Sequence, residues 1–424
     1  MLGVPQSRFR IYTDPSSYAR VAWELATGRA QQGNAVEELE QTVARRADVR
    51  HAICMPTART GIYLTLASII KPGQKVLLSP ITIVDVINMV LCAGGVPCFM
   101  DVEENTCNID AAEIERNIDK NTGAVLVTHL HGLACDIERI RRTCEQTGVP
   151  LLEDAAQSFS TTVNGRWTGT FGKAGIYSFG MYKLVNAFFG GMVVTNDDAL
   201  SRDIRQRLAS LPYMKQGMFL KKWLFALATD ISTHPLPFSL FTYWFFRYGY
   251  LHGVAAIQDM VTVDRHPVRR SAIPEELLCR MWPMQARLIA AQLDGVASGN
   301  STRVSAGQRY HEGLSGIPQL ILPPLRTDNS HIYTYYPIRC PDRHALMRYA
   351  MLRRLDLVLS HYHNTASIPV FSDFSRSCPR AEATAKELLY LPTYPRYRRD
   401  QIDKNIEVIR DFFRSQNRRG SSGT

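Results

Sequence analysis

The stretch AVLVTHLHGLACDIERIRRTCEQTGVPLLEDAAQSFS, residues 124–160, decides the fold. AVLVTH (124–129) is apolar along most of its length, DIERIRRTCEQTG has the spacing of an amphipathic helix, and PLLED (150–154) is apolar again until two carboxylates end it. Apolar strands separated by a helix indicate parallel strands buried on both faces. The alternation extends outward. HAICM (51–55), KVLLSP (75–80), VPCFMD (96–101), AGIYSF (174–179) and GMVVTN (191–196) read as further strands, and TGIYLTLASI (60–69) as a helix. The expectation is an α/β fold with a mostly parallel sheet covered by helices and ligands at the carboxyl ends of its strands. Asp154 and Lys183 both fall at such ends.

After about residue 325 the pattern resets. SHIYTYYPIRC (330–340) reads as a strand, DRHALMRYAMLRRL (342–355) as a helix and RDQIDKNIEVIRDFFRSQ (399–416) as a final helix, which together make a smaller α+β domain. The chain divides into an N-terminal segment (1–48), a large domain (49–300), a small C-terminal domain (301–416) and a disordered tail (417–424). Residues 212–253 interrupt the large domain. MFLKKWLFALATDI puts Leu220, Trp223, Leu224, Leu227, Ala228 and Ile231 on one helix face, with Lys222, Thr229 and Asp230 opposite. HPLP follows, then FSLFTYWFFRYGY with eight aromatics in thirteen residues. Each apolar run is shorter than the roughly 20 residues that span a bilayer. Two readings stay open: a hairpin packed in the core or at a subunit interface, and shallow docking on a membrane aided by Lys215, Lys221, Lys222 and Arg247.

Composition sets the class. With 424 residues, 45% hydrophobic and 21% charged, the chain is globular. A net charge of +10 favours acidic partners such as anionic lipid or phosphate-bearing substrates. The basic clusters at 264–271, 395–400 and 416–420 come with no nucleic-acid-binding motif, so no nucleic-acid partner is expected. Nine cysteines without a CxxC pair read as reduced thiols of a cytosolic protein. The opening MLGVPQSRFRIY has no apolar segment or cleavage site, so export is not expected. His129 and His131 alternate on a strand end without a third ligand, which favours a structural role and no metal.

The chemistry concentrates in YSFGMYKLVNAFFGG (177–191). Lys183 is either a lysine whose stem packs while its ammonium reaches water, or a desolvated amine able to form a Schiff base with a carbonyl cofactor. Asp154 is either a helix cap or a carboxylate that keeps a pyridine nitrogen protonated. Ser178 and Thr60 are able to present hydroxyls to a phosphate, Gly61 permits close backbone approach beside Thr60, and Gln157 lies one helical turn after Asp154.

The segments GNAVEELEQTVARRADVRHAICMPTARTG (33–61), KPGQKVLLSPIT (71–82), NIDAAEIE (108–115), VTHLHG (127–132), LLEDAAQSFS (151–160), GTFGKAGIYSFGMYK (169–183), GGMVVTND (190–197) and LLYLPTYP (388–395) resemble, in order and spacing, the DegT/DnrJ/EryC1/StrS aminotransferases. The resemblance implies a fold-type I enzyme dependent on pyridoxal 5′-phosphate, a homodimer with shared sites, and transfer of an amino group from glutamate or glutamine to a keto substrate. It implies that Lys183 is the Schiff-base lysine, Asp154 the partner of the pyridine nitrogen, Gln157 a contact of the ring hydroxyl, and Ser178 and Thr60 contacts of the phosphate. Dehydrating relatives carry histidine at the lysine position, so Lys183 favours amino transfer. The sequence also departs from the family. Ile83 replaces a ring-stacking aromatic, Ala58 and Arg59 replace a small residue and a threonine in the phosphate turn, Phe188 and Phe189 precede the glycine pair, and Leu278 stands where an asparagine reaches the partner's cofactor. Arg59 is itself able to hold phosphate.

The changes at Phe188–Phe189, where the family carries Gly-Glu, and at Leu278 replace polar with apolar groups. With the aromatic insertion, they imply a substrate with a greasy portion, a lipid-linked or acyl-chain carbonyl compound, handled at the inner face of the cytoplasmic membrane. Phe188, Phe189, His361 and His363 are the candidate substrate contacts. The competing reading is a catalytically idle, membrane-docked scaffold that retains the fold. The intact set Asp154, Gln157, Ser178 and Lys183 opposes it.

Overall fold

A computed structural model describes residues 4–11, 14–260 and 267–421. Parts of the basic stretch 264–271 and of the tail, residues 264–266 and 422–424, lie outside the described residues. The runs of branched and aromatic side chains form twelve strands: β1 (His51–Met55), β2 (Lys75–Leu78), β3 (Val96–Phe99), β4 (Thr122–Thr128), β5 (Leu151–Asp154), β6 (Thr162–Val163), β7 (Arg166–Trp167), β8 (Ala174–Ser178), β9 (Gly191–Thr195), β10 (Tyr336–Arg339), β11 (Val358–Leu359) and β12 (Leu388–Leu391). Seven make one sheet in the order β1-β9-β8-β5-β4-β2-β3. Only β9 runs against its neighbours. Every residue of β4, β5 and β9 is buried, as expected for strands covered on both faces. Helices Ala58–Ile69, Val84–Cys92, Ile137–Thr147 and Asp198–Ala209 connect or flank these strands.

Register brings the chemistry together. Thr128 of β4 pairs with Asp154 of β5, and Asp154 with Ile176 of β8, so the ends of three parallel strands form one ledge. A three-stranded antiparallel sheet, β10-β12-β11, stands against it with helices Arg343–Leu352 and Arg399–Ser421. The segment 330–340 is strand only over Tyr336–Arg339. Before that, the Ile332 and Thr334 amides donate to the carbonyls of Gly132 and His131 at 3.0 and 2.9 Å, so this part of the chain follows the loop after β4. The last helix continues to Ser421, so residues 417–421 are helical where a disordered tail is expected from sequence. All nine cysteines are free thiols.

The insertion holds the main departure in packing. Helix Gln216–Thr233 buries Phe219, Ala226, Asp230 and Thr233. The apolar face expected to turn inward instead leaves Leu224 50% and Ile231 57% exposed, with Trp223 and Leu227 half-buried at the boundary. The reason is local. The Tyr18 hydroxyl donates to Asp230 at 3.0 Å and Arg10 approaches the same carboxylate at 3.7 Å, which turns the polar face inward. Phe219 anchors that face, 5.9 Å from the Phe188 ring and 5.2 Å from Trp282. After the break at His234, a wide turn over Phe238–Thr242 leads into helix Tyr243–Leu251. That helix is pinned by the Tyr243 hydroxyl and the Arg247 guanidinium, which both donate to the Met351 carbonyl.

Candidate active site

Asp154 closes β5 with a buried carboxylate. Its Oδ1 accepts from the Ala156 amide at 3.0 Å, and its Oδ2 accepts only a long 3.4 Å bond from the Thr128 hydroxyl. Burial holds its pKa above the ordinary carboxylate range, opposed by the Ala156 hydrogen bond and the charges of Lys183 and His129. Lys183 does not lie on the end of β8, which stops at Ser178. It sits in the following turn, where its amide donates to the Gly180 carbonyl at 3.0 Å and the turn closes through Phe179 and Ala187. Desolvation lowers the pKa of its amine, and Asp154 pulls the other way, so the two groups share one space. Among the described residues the amine has no hydrogen bond or ion pair, unlike a snorkelling lysine tied to a surface carboxylate.

Gln157 is fixed on both sides. Its Oε1 accepts from the His131 amide at 2.9 Å, and its Nε2 donates to the Tyr362 hydroxyl at 2.6 Å. His131 has a left-handed backbone (φ 59°), which aims that amide. Its ring pairs with the Tyr390 hydroxyl at 3.1 Å, and burial lowers its pKa to about 3. His129 is wholly internal. Its Nδ1 accepts from the Cys135 amide, which leaves Nε2–H to donate to Glu153 at 3.0 Å, and the Gly169 and Gly172 amides also bind that carboxylate. Tyr362 and His131 are neighbours of Gln157 that residue types alone do not reveal. The signal for Tyr362 was its place between the two candidate histidines.

Thr57 caps helix Ala58–Ile69 by accepting the Thr60 amide at 3.1 Å. The Thr60 hydroxyl is buried, lies 3.0 Å from that of Thr57 and donates to the Leu277 carbonyl at 3.0 Å. It is engaged inside the fold, and at the helix opening Thr57 is also buried, which leaves half-buried Ala58 and Arg59 as the accessible end of this element. Arg59 pairs with Asp85 beside half-buried Ile83. The opening lies tight against β9: a Cβ on Gly191 would stand 2.5 Å from the Ala58 nitrogen, which only glycine avoids. Half-buried Ser178 accepts weakly from the Gly180 amide at 3.5 Å.

The four candidate substrate contacts divide. Phe188 is buried, with a left-handed backbone (φ 66°) that turns its ring toward Tyr18 and Phe219, so it is a core residue and not a substrate contact. Phe189 remains half-exposed. His361 has its pKa lowered to about 4 by burial and by the charges of Lys183 and His363, which places it at the lysine. His363 is exposed. The described residues contain no group of three or more potential metal ligands.

The sequence profile of the DegT/DnrJ/EryC1/StrS aminotransferase family matches residues 12–221 and 275–410. The chain belongs to this family. It is 27% identical over 399 residues to the spore coat polysaccharide biosynthesis protein SpsC of Bacillus subtilis, covering 92% of each chain. A 172-residue stretch is 31% identical to GDP-perosamine synthase of Vibrio cholerae, covering 40% of this chain and 47% of that one. The fold superposes on Helicobacter pylori PseC, an aminotransferase involved in the biosynthesis of pseudoaminic acid, with TM-score 0.74 at 17% identity over 97% of this chain and all of that one. The DegT/DnrJ/EryC1/StrS member described here is therefore a fold-type I aminotransferase dependent on pyridoxal 5′-phosphate. Its residues fit that cofactor. A buried carboxylate has one oxygen only weakly bound, a desolvated amine has no partner among the described residues, and a helix opens beside the first glycine of β9 with an arginine at its mouth. The profile passes over residues 222–274, so most of the aromatic insertion lies outside the family pattern.

Proposed function

We propose that this enzyme transfers an amino group from an amino-acid donor, glutamate or glutamine, to a carbonyl substrate carried on lipid, a keto sugar by analogy with its relatives, at the inner face of the cytoplasmic membrane. When bound, pyridoxal phosphate supplies an aldehyde that takes up the amino group and a ring that accepts the electron pair of the cleaved C–H bond. Asp154 would hold the protonated ring nitrogen of the cofactor, and burial would concentrate the effect of that charge. Lys183 would hold the aldehyde end of the cofactor, and its Nζ would be the group that accepts and returns the proton. A lowered amine pKa serves this role, because more of the amine is free to accept a proton near neutral pH. Gln157, held by the His131 amide and the Tyr362 hydroxyl, would contact the ring hydroxyl of the cofactor. The active unit is a homodimer, as the sharing of sites in this fold type requires.

One observation carries the lipid part of the reading. The inserted helices turn a row of apolar side chains outward, among them Leu224, Phe225, Ile231, Leu240 and Phe241, the last 71% exposed. No described helix is long and apolar enough to cross a membrane, so the fit is to shallow docking. Flotation with phosphatidylglycerol vesicles and turnover of lipid-carried against water-soluble nucleotide-linked keto sugars test it. Vesicle association together with faster turnover of the lipid-carried compound is the expected result. Equal turnover of both compounds without vesicle association would remove the basis for the lipid reading. Borohydride treatment of cofactor-saturated enzyme tests the chemical part: the cofactor becomes fixed to the peptide that carries Lys183, and Lys183→Ala loses at least ~100-fold in transamination rate.

A further inference from the structure

The insertion brings a lysine close to the turn that carries Lys183 and the glycine pair. Lys222 is the first position that the family profile leaves out, and it rides on helix Gln216–Thr233, which is docked by Phe219 between Phe188 and Trp282. Its ammonium lies 5.8 Å from the ring centre of Phe189, the residue that immediately precedes the glycine pair, and 5.6 Å from that of Phe225. The side chain is half-buried, and among the described residues it has no carboxylate partner and no hydrogen bond. Phe189 leads into Gly190, which bridges to Thr57, and Gly191 lies against Ala58, so Lys222 stands beside the helix opening that carries Arg59; desolvation and the charge of Arg59 both lower its pKa. Asp85 balances Arg59, and among the described residues no carboxylate pairs with Lys222. Two half-buried cations with a single carboxylate, the one that pairs with Arg59, make a place for an anion.

We propose that Lys222 and Arg59 form a phosphate-binding subsite at the mouth of the active site, completed by the insertion. The subsite takes a phosphate ester, either that of the cofactor or that of a phosphate-bearing substrate. This rests on the aminotransferase reading and not on membrane docking, so vesicle flotation that fails leaves it standing.

The test compares wild type, Lys222→Gln and Lys222→Arg by direct binding. Pyridoxal 5′-phosphate and phosphate-free pyridoxal are titrated into the cofactor-free enzyme by absorbance and fluorescence, and inorganic pyrophosphate into the holoenzyme by calorimetry. Loss of one charge-assisted contact is expected to weaken binding about tenfold, with Lys222→Arg restoring most of it. If Lys222→Gln weakens pyridoxal phosphate but leaves pyridoxal and pyrophosphate unchanged, the subsite holds the cofactor. If it weakens pyrophosphate alone, the subsite holds the substrate. If all three ligands bind Lys222→Gln as they bind wild type, or if pyridoxal weakens as much as its phosphate ester, the proposal is overturned.

Discussion

At the scale of single residues, the candidate site is built from side chains at a strand end or in the turn that follows. Asp154, Gln157 and Lys183 are brought together because β4, β5 and β8 end in register, and residue spacing records that ending. Phe188 was not legible, because a positive φ decides where its ring points and no residue type announces it. Thr60 misled for a related reason: the cap is Thr57, three residues earlier, and a hydroxyl one turn inside a helix turns to the nearest carbonyl. The histidine beside Lys183 gives a test in pH. Folding lowers the His361 pKa to about 4 from an ordinary 6.5. Between those values the unfolded chain binds a proton that the folded chain refuses, so stability falls as pH drops from 6.5 toward 4 and levels below. His131, lowered to about 3 by burial, adds to the same slope. Removing one such group flattens the slope by up to about 1.4 kcal/mol per pH unit. Urea unfolding of cofactor-free His361→Asn is therefore expected to lose less stability between pH 6.5 and 4.5 than wild type, by on the order of 1–2 kcal/mol. Parallel slopes for the two proteins would show that His361 does not lie in the desolvated space around Lys183.

At the scale of elements, the strands of the large sheet were legible because burial on both faces writes an unbroken apolar run. The inserted helix was not, because two faces compete for the core and one buried carboxylate settles the contest. Phe219 is fully buried, whereas Leu224 is half exposed. Phe219→Ala therefore opens a cavity between Phe188 and Trp282 and costs about 3–5 kcal/mol of stability. Leu224→Ala changes it by less than about 0.5 kcal/mol. Urea or thermal unfolding of the two variants decides which face is internal, and comparable losses would reverse the assignment. The helix that opens at Thr57 depends on its neighbour in a similar way. Gly191→Ala forces β9 and the Ala58 backbone apart, because the added carbon meets main-chain atoms that have no rotamer to give. The expected outcome is a folded sheet with weakened cofactor affinity, read as a rise of about tenfold or more in the dissociation constant of pyridoxal phosphate. A variant that binds the cofactor like wild type would mean that the helix opening does not hold it.

At the scale of the whole molecule, charge and the apolar face act over different distances, so they separate experimentally. The net charge of +10 draws the protein toward an anionic surface, each basic residue near it contributing about 1 kcal/mol, and this attraction fades once salt shortens the screening length from about 10 Å at 0.1 M to about 3 Å at 1 M. The outward row on the insertion acts only at contact and is insensitive to screening. Binding to phosphatidylglycerol vesicles should accordingly have a salt-sensitive part and a salt-resistant remainder. Replacing Leu224, Phe225, Leu240 and Phe241 by glutamine removes the remainder, while Lys221→Gln weakens the sensitive part. All five side chains point away from the core, so the folded state is expected to survive these changes. The same row would also suit a second copy of the chain, and the quadruple glutamine variant separates the two occupants. If the row meets lipid, the variant keeps the wild-type size in light scattering and no longer floats with vesicles in high salt. If the row meets another subunit, the variant falls apart to monomers while wild type shows no salt-resistant vesicle binding, and the membrane reading fails.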